Sequence, residues 1–255
     1  MLIDTHIHLD AAEFDADRAA VLAQARAGGV GGFVAPAVER AGFARVLALA
    51  EREPDVFPAL GIHPLYVDAA TDADLAALDH LLAQGRGVAV GEIGLDHFVA
   101  GFDAARQAQF FLAQLDLARR HGLPVILHLR RAVDEVLEAL RRVRVCGGIA
   151  HAFNGSLQQA QMFIGLGFKL GFGGAMSFPG STRIRRLAAE LPLDAIVLET
   201  DAPDIAPVWA RGARNVPVNL ARYAGILAGL REMALADIIK TTTTNARAAL
   251  ALPQR

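Results

Sequence analysis

The chain has 255 residues, 53% of them hydrophobic and 20% charged, with a formal net charge of −2. That balance excludes the broad basic field of a protein that coats duplex DNA, and no apolar run reaches the roughly 18 residues of a membrane span. The single cysteine, Cys146, excludes an internal disulfide framework and fits a reducing compartment. Asp4, His6 and His8 interrupt the stretch where a signal peptide needs an apolar core, so the chain reads as cytoplasmic. With no exposed heptad or swapped element, a monomer is expected.

In chain order, Leu2–His6 reads as a short buried strand whose end carries two histidines, His6 and His8. Period-two alternation would set both rings on one face, with Asp4 beside them and Ile3 and Ile7 opposite. Phe14–Ala27 is helical and stopped by Gly28 and Gly29. Strand two is Gly32–Pro36, helix two Phe43–Arg52, strand three Phe57–His63 and helix three Asp72–Gln84. Strand four is Val88–Gly94, followed by a long amphipathic helix over Ala104–His121. Strand five is Pro124–His128, helix five Val133–Val143, strand six Gly148–Phe153 and helix six Leu157–Leu166. Strand seven is Phe168–Phe172, helix seven Arg183–Leu191 and strand eight Ala195–Asp201. Two further helices, Leu220–Leu230 and Leu235–Ala249, close the chain.

Near-continuous Val, Ile, Leu and Ala runs are the pattern of parallel strands covered on both faces. Eight such strands alternating with helices imply an α/β TIM (β/α)8 barrel, one domain over residues 1–255. The alternative is an open doubly wound sheet; strand one lacks the Gly-rich turn of its commonest form.

In a barrel, chemistry sits at the C-terminal ends of the strands. Here those ends carry His6 and His8, His63, Glu92, His128, His151 and Asp201. Any one histidine is readily a satisfied core residue, but the coincidence over six strand ends is not. Imidazoles and carboxylates converging on one mouth are costly to bury without a cation. They also exceed the donors one tetrahedral ion takes. The arrangement favoured by the residues places His6, His8, Glu92 and Asp201 on one ion. Glu92 bridges to a second ion held with His128 and His151. Asp201 is also a candidate general base, or simply a capping residue before Pro203. The donor types suit zinc, manganese, nickel or magnesium.

The ordered strings Asp4-Thr5-His6-Ile7-His8, Gly61-Ile62-His63-Pro64, Gly91-Glu92-Ile93-Gly94-Leu95-Asp96, Pro124–His128, His151–Ser156 and Glu199-Thr200-Asp201-Ala202-Pro203 resemble the TatD family of metal-dependent deoxyribonucleases, in details its YjjV-type branch. Arg211–Pro217 continues the likeness, which runs from residue 2 to the last helix. It implies a barrel of the metallo-dependent hydrolase superfamily with two divalent ions (Mg, Mn or Zn). It implies hydrolysis of DNA phosphodiesters, often from the 3′ end, with single-stranded DNA the expected partner. It implies that His6, His8, Glu92, His128, His151 and Asp201 are metal ligands, and that His63 stands near the substrate phosphate. Catalytic roles then fall to Glu92, Asp201 and His63. Leu129, Ala152 and His97 depart from residues frequent in the family, which leaves the ligands intact and the substrate-facing shape open.

Arg130 and Arg214 are candidate substrate phosphate contacts, and Phe98, Phe102 and Trp209 candidate stacking surfaces for bases. Gly171, Gly173 and Gly174 either admit a ligand close to the backbone or make a turn. The same centre would equally serve hydrolysis of an amide or ester, such as a small cyclic amide or aminoacyl-tRNA. A non-catalytic metal-storing barrel is a third reading.

Overall fold

The computed structural model describes residues 1–253. Its eight parallel strands lie in sequence order in one sheet: β1 (Leu2–Asp4), β2 (Val30–Pro36), β3 (Val56–Leu60), β4 (Ala89–Asp96), β5 (Val125–Arg130), β6 (Gly148–Ala150), β7 (Phe168–Phe172) and β8 (Ile196–Leu198). The last strand returns to the first through Thr5 N, which donates to Leu198 O at 3.1 Å, and Asp201 N, which donates to His6 O at 2.9 Å. These bonds close the sheet into a TIM barrel.

Helices α1 (Arg18–Ala27), α2 (Arg40–Arg52), α3 (Asp72–Ala83), α4 (Ala104–His121), α5 (Val133–Arg142), α6 (Leu157–Gly165) and α7 (Thr182–Glu190) follow the first seven strands. After β8 come α8 (Leu220–Arg231) and α9 (Leu235–Leu250). Strand alternation builds two apolar layers. Ile3, Val34, Ala59, Ala89, Ile126, Ile149 and Val197 meet inside the barrel, one from each of seven strands. Ala246, Leu250 and Leu252 of α9 and its exit join this cluster and plug the N-terminal end. Asn245 fixes the plug by donating to Leu193 O and Ile196 O at 2.8 and 2.7 Å. The opposite side chains, such as Phe33, Val90, Leu127 and Leu170, pack against the helices. Each such side chain, fully buried, is worth about 1.5–3 kcal/mol.

The longest helix shows how local chemistry sets an element. Asp103 caps α4 by accepting from Ala105 N and Arg106 N at 2.9 and 3.1 Å. Phe110, Phe111 and Leu115 form its buried face. It stops at Gly122, whose φ of 63° suits glycine. Gln107 and Gln114 lie seven residues apart on the same buried face and hydrogen-bond the backbone at the end of β4 and just beyond β3, at Asp96 and Ile62.

Candidate metal centre

The plug at one end leaves the C-terminal end open as a cavity of about 1670 Å³. Strand β1 stops at Asp4, so His6 and His8 lie in the loop beyond it. The parity expected for a longer strand therefore fails at Asp4. Its carboxylate makes no contact with the imidazole rings; it accepts from Thr200 N at 2.9 Å, Thr200 Oγ1 at 2.6 Å and the backbone His6 N at 3.4 Å. Burial pushes the Asp4 carboxyl up to about 8, against the Thr200 hydrogen bonds. Asp4 is thus a strut between the ends of β1 and β8.

The structure brings His6, His8, His63, Glu92, His128, His151 and Asp201 together at this mouth. Glu92 is buried at the centre. Its Oε2 lies 3.1 Å from His6 Nε2 and 3.7 Å from His8 Nε2; its Oε1 lies 2.9 Å from His128 Nδ1 and 3.7 Å from His63 Nε2. One carboxylate thus presents each oxygen to a different set of imidazoles. Asp201 Oδ1 lies 3.5–3.6 Å from His8, His6 and His151. Its φ of 59° is the left-handed region, which Asp tolerates better than most residues.

Hydrogen bonds to the far ring nitrogens decide what each imidazole can do. Asp96 Oδ2 is 2.8 Å from His128 Nε2 and fixes a proton there, so that with a cation bound Nδ1, 2.9 Å from Glu92 Oε1, would be the ligating nitrogen. Glu199 Oε1 is 3.0 Å from His151 Nδ1, although off the line of a good hydrogen bond. This leaves His151 Nε2 turned to Asp201. His63 differs. Leu65 N donates to His63 Nδ1 at 3.1 Å, so the neutral ring carries its proton on Nε2 and cannot ligate through it. Burial pushes His63 down to about 3, which keeps that ring neutral.

The electrostatics match a cation site. Burial alone would raise Glu92, yet the imidazoles around it, His6 first, hold it well below the carboxylate range. Asp201 is held low against the same burial, by His151 above all. Burial would lower His8, but Asp201 carries it up to about 9. Ionised carboxylates facing closely spaced ring nitrogens, such as His6 Nε2 and His8 Nε2 at 3.4 Å, form a donor set in which a metal can take the place of the protons. Two buried carboxylates, Asp96 and Glu199, stand behind two of the imidazoles, the arrangement that orients metal-bound histidine. The residues present therefore fit divalent metal.

By position, polar atoms fall into groups within 4.8 Å: His6 with His8 and Asp201, His6 with Glu92 and His151, and Glu92 with His63 and His128; in the last, His63 Nε2 stands 3.1 Å from His128 Nδ1 as a proton donor and not as a ligand. The sequence-based division differs at His151. Its ring stacks on His6, centroids 3.6 Å apart, and not beside His128. Its two ring nitrogens lie 3.0 and 3.6 Å from Glu199 and Asp201, both just beyond β8.

Arg214 is not brought to the cavity. Its guanidinium pairs with Asp17 at 2.7 and 3.0 Å, donates to Glu13 O and lies over the Phe14 ring. Trp209 is also occupied, donating to Asn219 Oδ1 at 3.1 Å beneath Arg222. Arg130 does line the cavity, with its guanidinium 3.6 Å from the centre of the Phe98 ring. Gly171 makes room for the protein itself: a Cβ there would meet Glu199 Oε2 at 2.1 Å. Sequence reasoning missed Asp96, Glu199 and the two α4 glutamines. Gln114 brackets Ile62 N and O at 2.7 and 3.0 Å, fixing the loop of His63; Gln107 Oε1 accepts from Asp96 N at 2.9 Å. Two glutamines on one apolar helix face were the available signal.

The family model described as TatD related DNase matches residues 3–251. The chain belongs to the TatD family. It is 42% identical over 246 residues to YjjV of Escherichia coli K12, across 95% of each chain. It is 34% identical over 249 residues to YabD of Bacillus subtilis 168, across 97% of this chain and 98% of that one. Both relatives are named as uncharacterized metal-dependent hydrolases. The crystal structure of the E. coli YjjV protein matches with a TM-score of 0.94 at 40% identity, covering 99% of this chain and 98% of that one. This TatD-family chain is accordingly a metal-dependent hydrolase.

Proposed function

We propose that the protein hydrolyses phosphodiester bonds of single-stranded DNA, from the 3′ end, with two divalent ions (Mg, Mn or Zn). The observation that carries this reading is Glu92, whose two oxygens face opposite imidazole sets at 3.1 and 2.9 Å. A bridging carboxylate of that kind suits a pair of ions, and the family description names DNA as the polymer cleaved. His6, His8, His151 and Asp201 would hold one ion, and His128 the other, with Glu92 between. When bound, such ions lower the pKa of a water and neutralise charge on phosphoryl oxygens.

The chain's own groups do the rest. Asp201, held ionised among three imidazoles, accepts the water's proton on a carboxylate oxygen. Its left-handed backbone and the Asp4–Thr200 strut fix the direction of that carboxylate. His63, neutral with its proton on Nε2, donates to a non-bridging phosphate oxygen. The buried walls around Glu92 exclude bulk water and strengthen both contacts. No helix among the described residues is long and apolar enough to cross a membrane, and the enzyme is proposed to act as a cytoplasmic monomer.

The test is nucleotide release from 3′-labelled single-stranded DNA in Mg, Mn or Zn, beside aminoacyl-tRNA and a small cyclic amide. Release from DNA that is lost in Glu92→Ala and Asp201→Ala supports the proposal. Turnover of the carbonyl substrates without DNA cleavage overturns it.

A further inference from the structure

The cavity wall is unevenly charged, with an excess of arginine on one side and of carboxylate on the other. Arg130, Arg131 and Arg183 line it on the side of β5 and β7. Among the described residues none of the three has a carboxylate within ion-pair distance, whereas Arg18, Arg26, Arg40, Arg45, Arg86 and Arg214 each do. The side of β1, β2 and β8 carries Asp10, Glu13, Glu39 and Asp204 against one arginine, Arg45, which lies 3.6 Å from Asp10; on the arginine side the carboxylates are Asp134 and Glu135 of α5, the latter 3.1 Å from His97. Coulomb repulsion from Asp201 adds to burial in raising Asp204.

The arginine side is tied to the centre through β5 and Asp96. His128 and Arg130 lie two positions apart on β5, hence on one face and about 6.6 Å apart along the strand. Asp96 Oδ2 holds His128, while its Oδ1 accepts from Phe98 N and Val99 N at 2.8 and 3.0 Å. The same carboxylate thus places both an imidazole of the centre and the exposed ring of Phe98. That ring lies 3.6 Å from the Arg130 guanidinium and 4.6 Å from that of Arg131.

Resting on the phosphodiesterase reading above, we infer that Arg130, Arg131 and Phe98 form a subsite for the flanking nucleotides of a single DNA strand. The strand leaves the centre over β5, its phosphates on the two guanidiniums and a base on the plane made by Phe98 and Arg130. The acidic wall opposite repels a polyanion, so the strand has one exit and the reacting bond lies near a chain end.

The test uses the full-length protein and a fluorescein-labelled, phosphorothioate-linked dT10, read by anisotropy from 50 to 200 mM salt. The Arg130→Ala, Arg131→Ala double variant is expected to lower the salt slope of log Kd by about 1.4, about 0.7 for each lost phosphate contact. Phe98→Ala is expected to weaken binding about ten-fold without changing the slope. The Arg130→Lys, Arg131→Lys variant keeps its slope, because point charges remain. Arg141→Ala, on α5 beside Met162, is the control and leaves Kd unchanged. An unchanged slope in the double alanine variant with wild-type circular dichroism overturns the subsite, as does failure of the wild type to bind dT10. Wild-type turnover of bis(p-nitrophenyl) phosphate, which has no flanking nucleotides, separately tests the phosphodiesterase reading.

Discussion

Asp96→Asn is the substitution that isolates the orienting carboxylates. The Asp96 carboxylate is buried, accepts from Phe98 N and Val99 N through Oδ1, and lies 2.8 Å from His128 Nε2 through Oδ2. Asparagine keeps one oxygen for the two backbone donors. Its amide nitrogen then faces His128 Nε2, donor against donor. The ring relieves this by moving its proton to Nδ1, the atom 2.9 Å from Glu92 Oε1. A protonated Nδ1 cannot bind metal. Loss of a buried charge-assisted hydrogen bond costs about 1.5–3 kcal/mol. Loss of an orienting partner weakens metal binding about 10–100-fold, which matches about 1.4–2.8 kcal/mol. The assay is competition for Mn or Zn against a fluorescent chelator, with circular dichroism to confirm folding. The reasoning is refuted if Asp96→Asn binds metal like the wild type while His128→Ala does not.

Other consequences follow from individual contacts. Gly171→Ala places a Cβ against Glu199 Oε2; we expect a loss of about 1–3 kcal/mol from overpacking together with weaker metal binding, read by thermal unfolding and chelator competition. Ser156 caps α6, accepting from Gln159 N at 3.1 Å while Gln159 Oε1 accepts from Ser156 N at 2.8 Å. Ser156→Ala should cost about 1 kcal/mol, lowering Tm by about 2–4 °C in a calorimetric scan. Arg214→Ala should lower Tm yet leave the KM for DNA unchanged, because the guanidinium is occupied by Asp17; a raised KM would return Arg214 to the site. Arg214 also holds the Asp17 carboxyl below its ordinary value. The stability from that pair is present above about pH 3.9 and lost as pH falls through the lowered value, so acid titration of Arg214→Ala should show a smaller loss than the wild type.

The order of strands and helices was legible because parallel strands covered on both faces leave near-continuous apolar runs. Their ends were less so. Strand β3 stops at Leu60 and not at His63, and β1 at Asp4 and not at His6. The polar residues beyond continue the composition of a strand end without its pairing. That is why alternation misplaced Asp4, whose partner Thr200 comes from the far end of the chain. The histidines and acids at the mouth were readable as residue types at strand ends. Which of them pair was not. His151 stacks on His6 only because barrel closure brings β8, with Glu199 and Asp201, beside β1. Likewise Arg214 and Asp17 are 197 positions apart, and nothing in the local sequence marks either as taken.

The central claim is that Glu92 joins two sets of donors around a pair of ions. Anomalous diffraction from crystals of the Mn- or Zn-loaded protein measures this directly. The account predicts two peaks about 3.5–4 Å apart, one beside His6, His8, His151 and Asp201, the other beside His128, with Glu92 between. A single peak that Glu92 does not touch, or metal bound only outside this mouth, would contradict it.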